Sequence, residues 1–316
     1  MNKCYSGYLA NSDSLLKSAS GGIAYAIALD YVSTGGIAYG VGYKEDFSGT
    51  AWIRCVCKED LKEIRGTKYV KAEAKIKRTE IIVYDEVLHD LTCGKRVVFF
   101  GLPCEVGVLT HRLKRQGINT NQLLTVDLIC QGPSTSRLFK EFLEIKKKEY
   151  SSEPKSINMR FKNPDWRHPY FRIIFKNNKE YCVPLQQTEF WAACVNMPMI
   201  SCSKCSYKGE NHVSDITIGD HWGVNEKSES YNMMGTSIAL VHTQKGELAI
   251  NSIQEFTYFE TDCAEVIRNN PRYSKSAEID RKKIRFKKLY EKHGLLYAFK
   301  HRYSFVDKIK MIMHLG

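Results

Sequence analysis

Two stretches, RVVFFGLPCEVGVL (Arg96–Leu109) and LLTVDLICQGPS (Leu123–Ser134), constrain the fold more than any other part of this chain. Each is a short apolar run stopped by a turn containing Gly and Pro. Each is followed by a helical pattern, Glu105–Arg115 and Thr135–Lys147. An apolar run too short for a helix and bounded in this way reads as a strand buried on both faces. Strand, tight turn and helix, twice in succession, predict a parallel sheet with helices on its faces. The expected fold class is α/β, of mixed α+β character: a parallel-sheet core with flanking helices, a smaller antiparallel region and a helical C-terminus.

The flanking segments fit that plan. Ser18–Ser33 reads as a helix opened by a Ser/Gly turn and ended by Gly35-Gly36. Ile37–Tyr43 and Ala51–Cys57 read as strands, and Thr79–Leu91 as a helix. Ser151–Pro154 reads as a linker. Beyond it, Ile157–Phe161, Tyr170–Lys176 and Lys179–Val183 are expected as short antiparallel strands, with Asn177-Asn178 as a hairpin turn. A helical piece over Gln186–Val195 leads to further strands at Ile216–Gly219 and Ser237–His242. The remainder, from Lys245, reads as mostly helical and basic, with Phe305–Met313 as an amphipathic packing helix.

With 316 residues and 43% hydrophobic content the chain can bury a large core. No window approaches ~18 uninterrupted apolar residues, so no membrane span is expected. The start lacks an apolar leader, which gives a cytoplasmic expectation. In that setting eleven cysteines point to metal or redox chemistry rather than a disulfide framework. The net charge of +12 implies an anionic partner: nucleic acid, a membrane surface, a phosphorylated cofactor or substrate, or an acidic electron-transfer protein. The basic residues are densest at Lys71–Arg78, Lys146–Lys148 and Arg281–Lys288, but otherwise dispersed like a solvated face.

Cys202-x-x-Cys205 alone is half a metal site, because tetrahedral zinc and iron–sulfur clusters usually take four protein ligands. The chain has no second Cys-x-x-Cys and no following His pair at zinc-finger spacing. Two other cysteines stand out by position. Cys104 and Cys130 each lie at the carboxyl end of a predicted parallel strand, just before a helix, where open α/β sheets collect ligands. The adjacent helix N-termini are expected to favour thiolates there. The competing reading is that both are small buried apolar residues. Cys4, Cys55, Cys57, Cys93, Cys182, Cys194 and Cys263 lack partners at ligand spacing and read as structural. Ser20-Gly21-Gly22, at a helix start, offers backbone N–H groups to a phosphate, and Lys68 beside Tyr69 offers charge and a stacking face. For proton transfer the candidates are His221 and Asp220, with Glu226 and His168 beyond them.

Several stretches resemble the coenzyme F420 hydrogenase/dehydrogenase beta-subunit family of iron–sulfur flavoproteins. They are SASGGIAYAIALDY, RGTKYV, VVFFGLPCEVGVL, VDLICQGPS, INMRFKNPDWRHPYF and CSKCSYKGENHVSDITIGDHWGV, in the family's order. The resemblance implies FAD or FMN beside a [4Fe–4S] cluster. It implies Cys104, Cys130, Cys202 and Cys205 as cluster ligands, with Ser20, Gly21, Gly22, Gly66, Thr67, Lys68 and Tyr69 lining the flavin region. Residues 1–75 would then be a flavin-associated region, 76–275 the cofactor-binding α/β core, and 276–316 a helical basic region.

The chain departs from the family at GLPCE, where GTPCQ is usual, and at His221, where an aromatic is common. It also lacks the two-cluster ferredoxin segment of many relatives, so a separate ferredoxin-like electron donor is expected. Its stand-alone form resembles bacterial proteins associated with polysaccharide biosynthesis, which implies a small anionic substrate such as a nucleotide sugar. Two alternatives stay open: a deazaflavin (F420)-dependent subunit of a larger complex, and a non-catalytic Cys4 zinc protein binding nucleic acid. The first reading expects no nucleic acid and no integral membrane association, and allows a homo-oligomer.

Overall fold

The computed structural model describes residues 3–303; the helix expected at 305–313 lies outside them. The described residues contain twelve strands: β1 (Lys3–Leu9), β2 (Ile37–Tyr43), β3 (Thr50–Cys55), β4 (Glu73–Ile76), β5 (Val97–Gly101), β6 (Leu123–Leu128), β7 (Pro154–Phe161), β8 (Tyr170–Phe175), β9 (Glu180–Pro184), β10 (Ile216–Asp220), β11 (Ser237–Val241) and β12 (Phe256–Glu260). Nine form one sheet in the order β12-β1-β11-β10-β6-β5-β2-β3-β4, and β7-β8-β9 form a separate antiparallel sheet. The centre of the large sheet is parallel, with β2 on β5, β5 on β6 and β6 on β10. Its β1, β11 and β12 side is antiparallel. The expected α/β class therefore holds, with a mixed rather than purely parallel core.

The continuous apolar run of β5 has a physical cause: helices cover the sheet on both faces. Val98 and Phe100 join Leu124, Val126, Ile216 and Ile218 on the face covered by the helix Ile23–Ser33. Val97 and Phe99 face the opposite way, against the helices Val83–Thr92 and Pro103–Arg115. The small sheet buries Phe171, Ile173 and Phe175 against the helices Ser136–Tyr150 and Glu189–Asn196.

Three expectations are corrected. The linker at Ser151–Pro154 is a tight joint: Ser151 takes a left-handed conformation (φ 50°) after the helix, and Pro154 already pairs with Phe175. The helix that follows β5 starts at Pro103, so Cys104 sits in its first turn rather than before it. Strands β1 and β12 form where no strand was expected. Neither is flanked by the Gly/Pro punctuation that marks β5 and β6, and β1 owes its burial to pairing with strands more than 200 residues away.

Candidate functional site

The site lies along the carboxyl ends of β5, β6 and β10, as open α/β sheets favour. Cys104 projects from the first turn of the helix Pro103–Arg115. The departure Glu105 has a local role there: its side chain returns to the Leu102 N–H at 2.8 Å and pairs with Lys71. Cys130 lies in the loop after β6, where the Gly132 N–H donates to its Sγ at 3.2 Å. Gly132 is left-handed (φ 106°), and a Cβ there would stand 3.2 Å from Cys202 Sγ. Only glycine therefore lets the Cys202 turn close over the Cys130 loop.

The Cys202–Cys205 turn is held from beneath and from behind. Lys208 Nζ donates to the carbonyls of Cys130 and Arg272. The Ala277 N–H reaches Cys202 O at 3.3 Å, and Ser276 Oγ reaches Cys205 O at 3.5 Å. Tyr207 lies against the Cys104 helix at Gly107, where a Cβ would strike its ring at 2.5 Å.

The four thiols share one electrostatic neighbourhood. Charge on Cys205 and Cys202 raises Cys104, charge on Cys104 and Cys202 raises Cys130, and charge on Cys205 raises Cys202. In each case burial is the larger cause. It pushes Cys130 up to about 12, against the Gly132 N–H and Lys208, and it raises Cys104 against Lys71. The helix ends therefore do not create free thiolates here, contrary to the sequence expectation. Among the described residues, no three His, Cys, Asp or Glu side chains are grouped to hold a metal ion.

Next to the quartet lies a group of cations whose nearest opposite charges, Glu63 for Lys68, Asp13 for Arg65 and Asp220 for Lys162, act from beyond ion-pair distance. Lys68 is 7% exposed and donates only to the carbonyls of Arg65 (2.8 Å) and Gly66 (3.1 Å); burial pushes its ammonium down to about 7. Lys162 donates to the carbonyls of Leu15 (2.6 Å) and Ser20 (2.8 Å) and is likewise pushed down to about 7 by burial. Arg65 stacks 3.7 Å from the Tyr25 ring, with Nε and Nη2 buried and unpartnered. Among the described residues none of the three forms an ion pair. A buried cation without a counter-ion costs several kcal/mol, so the arrangement suits an anion.

Ser134 joins the two groups. Its N–H and Oγ donate to Tyr69 O at 2.8 and 3.0 Å, and its O accepts from the Lys71 N–H at 2.9 Å. The RGTKYVK loop is thus pinned to the Cys130 loop. Tyr69 is left-handed (φ 50°) and sets its ring edge-on to Trp191 at 5.2 Å.

The remaining predicted residues are placed as follows. Ser20 Oγ donates to Thr236 O at 2.7 Å, so the side chain is used internally, while Ser20 O faces Lys162. At Gly21 a Cβ would stand 2.3 Å from Gly7 O, which gives this glycine a packing cause. Gly22 is left-handed (φ 89°) at the helix start, and Gly66 faces open space. Thr67 is half-buried between Gly66 and Lys68.

Asp220 pairs with the buried Arg160, which also donates to Trp166 O at 3.2 Å and lies 6.0 Å from the Trp222 ring. His221 turns away from this group: it is 4% exposed, bonded through Nδ1 to Ser6 Oγ at 2.6 Å, and lowered by burial. His168 is exposed and paired with Asp165, and Glu226 with Arg167. Sequence reasoning did not single out Arg65, Arg160 or Lys162. The signal was there as positive charge inside RGTKYV and INMRFK, stretches flanked by residues that pack into the core.

Comparison with known proteins bears on the same region. A family model for the C terminus of the coenzyme F420 hydrogenase/dehydrogenase beta subunit matches residues 94–266, more than half of the chain and inclusive of all four cysteines. A chain of the F420-reducing [NiFe] hydrogenase complex from Methanosarcina barkeri, solved as a xenon derivative, aligns with a TM-score of 0.55 at 17% identity. That alignment covers 85% of this chain and 89% of that one, and at this identity it carries the fold alone. No curated protein matches the chain.

Proposed function

The chain belongs to the coenzyme F420 hydrogenase/dehydrogenase beta-subunit family, and from that premise we propose that it is an iron–sulfur flavoprotein oxidoreductase. A ferredoxin-like donor would supply electrons, and a small anionic substrate, such as a nucleotide sugar or glycan precursor, would accept them. The observation that carries this reading is the pinning of the cysteine quartet to the unpaired cations through Ser134. A flavin exchanges electrons singly or in pairs and a cluster exchanges them singly, so together they couple one-electron and two-electron partners.

The residues fit both groups. Cys104, Cys130, Cys202 and Cys205 would hold the cluster; burial raises the first three, so they would give up their protons on binding it. Arg65, Lys68 and Lys162 would meet the flavin phosphates: two orphaned guanidinium N–H groups and two unpaired ammonium groups are what a diphosphate requires. Ser20, Gly21 and Gly22 contribute the backbone at the helix start, and Gly66 and Thr67 the open edge of the loop. Tyr69, braced by Trp191, is placed to bound the ring system.

Asp220 holds Arg160 in a buried pair beneath Trp222, which positions a charge toward an anionic substrate. Its role is therefore orientation rather than proton transfer. His221, held neutral by burial and bonded to Ser6, is the proton donor only if Ser6 relays to it. Among the described residues no helix is long and apolar enough to cross a membrane. A deazaflavin-dependent role within a larger complex is the second reading, favoured by the fold likeness to a chain of an F420-reducing complex.

Anaerobic reconstitution with iron and sulfide, followed by FAD titration, tests the reading. We expect one FAD per chain, with its fluorescence quenched only when Arg65 and Lys162 are intact. Uptake of F420 but not FAD would select the second reading, and uptake of neither would overturn both.

A further inference from the structure

The helix Arg281–His293 presents two unlike faces. Phe286 is 1% exposed and packs into the core of the small sheet. On the opposite face Arg281, Ile284, Lys288 and Lys292 follow one another at helical spacing, all exposed. Lys283 and Lys287 pair with Asp280 and Glu291, whereas Arg281, Lys288 and Lys292 form no ion pair among the described residues. The segment that enters this helix is bonded to the cysteine turn: the Ala277 N–H donates to Cys202 O and Ser276 Oγ to Cys205 O, and Asp280 caps the helix by accepting from the Lys283 N–H at 2.9 Å. Exposed apolar side chains mark this junction. Ile200, two residues before Cys202, is 68% exposed, Ile279 is 42% exposed and Ile284 is 45% exposed.

A dispersed basic surface is usually a solvated face, and single exposed isoleucines are ordinary. Here three isoleucines and an unpaired basic stripe occupy two segments that are bonded to each other at the cysteine turn. Single-stranded nucleic acid would call for aromatic side chains among the lysines, and this stripe has none. A membrane surface would call for a broad apolar helix face, and Ile284 stands alone on it. Apolar contacts ringed by positive charge, beside the cysteine turn, match a protein of opposite charge.

We infer that Ile200, Ile279 and the Arg281–Lys292 face dock an acidic one-electron carrier protein. The inference rests on the iron–sulfur reading for its purpose but not for its test. The probe is a purified acidic [2Fe–2S] ferredoxin, with binding to the full chain followed by calorimetry at two salt concentrations. We expect binding that weakens steeply with salt, and that falls at least about tenfold in R281E/K288E/K292E.

An Ile284→Ser variant, which leaves the charge intact, should weaken binding a few-fold with little change in salt dependence. In reconstituted protein, reduction by dithionite should be unchanged in both variants while reduction by the ferredoxin slows. No ferredoxin binding at low salt, or equal binding by the triple variant, overturns the inference. So does stripe-dependent binding to vesicles containing phosphatidylserine without binding to the ferredoxin. Salt-dependent docking by a chain that takes up no iron would leave the docking face standing and refute the iron–sulfur reading instead.

Discussion

The cysteine quartet and the buried cations lie side by side, yet they bear their burial in opposite ways. A thiol whose ionised form is disfavoured by burial keeps its proton and remains a small neutral group, as Cys130 does when pushed up to about 12. Arg65 has no such escape, because guanidinium stays protonated and its Nε and Nη2 are left without partners. The lysines are intermediate: Lys68 and Lys162, pushed down to about 7, can shed their charge near neutral pH. The quartet can therefore wait for its ligand at little cost, while the cation group is strained until an anion arrives.

Four experiments can break or sharpen this contrast. The largest effect is expected at the quartet. Cys130→Ser should lose iron as severely as Cys202→Ser, about tenfold or more by iron assay, because ligand loss exceeds the 10–100-fold typical of a lost supporting contact. Retention of iron by the Cys130 variant would dismantle the four-cysteine assignment. Both variants should leave the stability of the unloaded chain nearly unchanged.

Arg65→Met should do the reverse. Losing a charged partner worth ~1.5–3 kcal/mol should weaken flavin binding about tenfold or more. Denaturant melts of the unloaded variant should show it more stable by ~1 kcal/mol, since an unpaired buried charge has been removed. A destabilised unloaded variant would mean that Arg65 serves packing over Tyr25 instead.

The pH dependence follows with a definite sign. Lys68 and Lys162 titrate near 7 when folded and near 10.4 when unfolded. Above pH 7 the unfolded chain therefore binds more protons, and stability of the unloaded protein should rise with pH. The clean window is pH 7 to ~8.5. Beyond it the unfolded cysteines ionise while the buried ones do not, and the slope is opposed. With flavin bound, the phosphate restores the lysine charge, and the rise should flatten. An equal slope in both forms would place the anion elsewhere.

The smallest effect is expected from Lys208→Met, which removes two hydrogen bonds to carbonyls behind the quartet. At ~1 kcal/mol each, cluster release to a chelator should quicken severalfold with the iron count intact.

The same contrast explains what could be read from the sequence. Cys104 and Cys130 were legible because each follows a strand buried on both faces and ended by a Gly/Pro turn. The sheet then dictates where such residues meet, and β5 does pair with β6 in parallel. Cys202 and Cys205 were legible by spacing. Of the cations only Lys68 was singled out; Arg65 and Lys162 were not, because they come from loops about 97 residues apart and nothing local distinguishes an unpaired cation from a solvated one. Burial without a partner is a property of the folded chain. Strand β1 and the edge strand β12 were hidden for a related reason, since their pairing partners lie at the other end of the sequence. His221 shows the opposite hazard: it occupies a conspicuous turn, but the fold turns it toward Ser6.

The most direct test of the account is the count of iron, acid-labile sulfide and flavin per chain in protein purified without oxygen. The account predicts about four iron, four sulfide and one flavin, with the visible absorption bleached on reduction. A colourless protein carrying a single zinc, or a flavin with no iron, would contradict it.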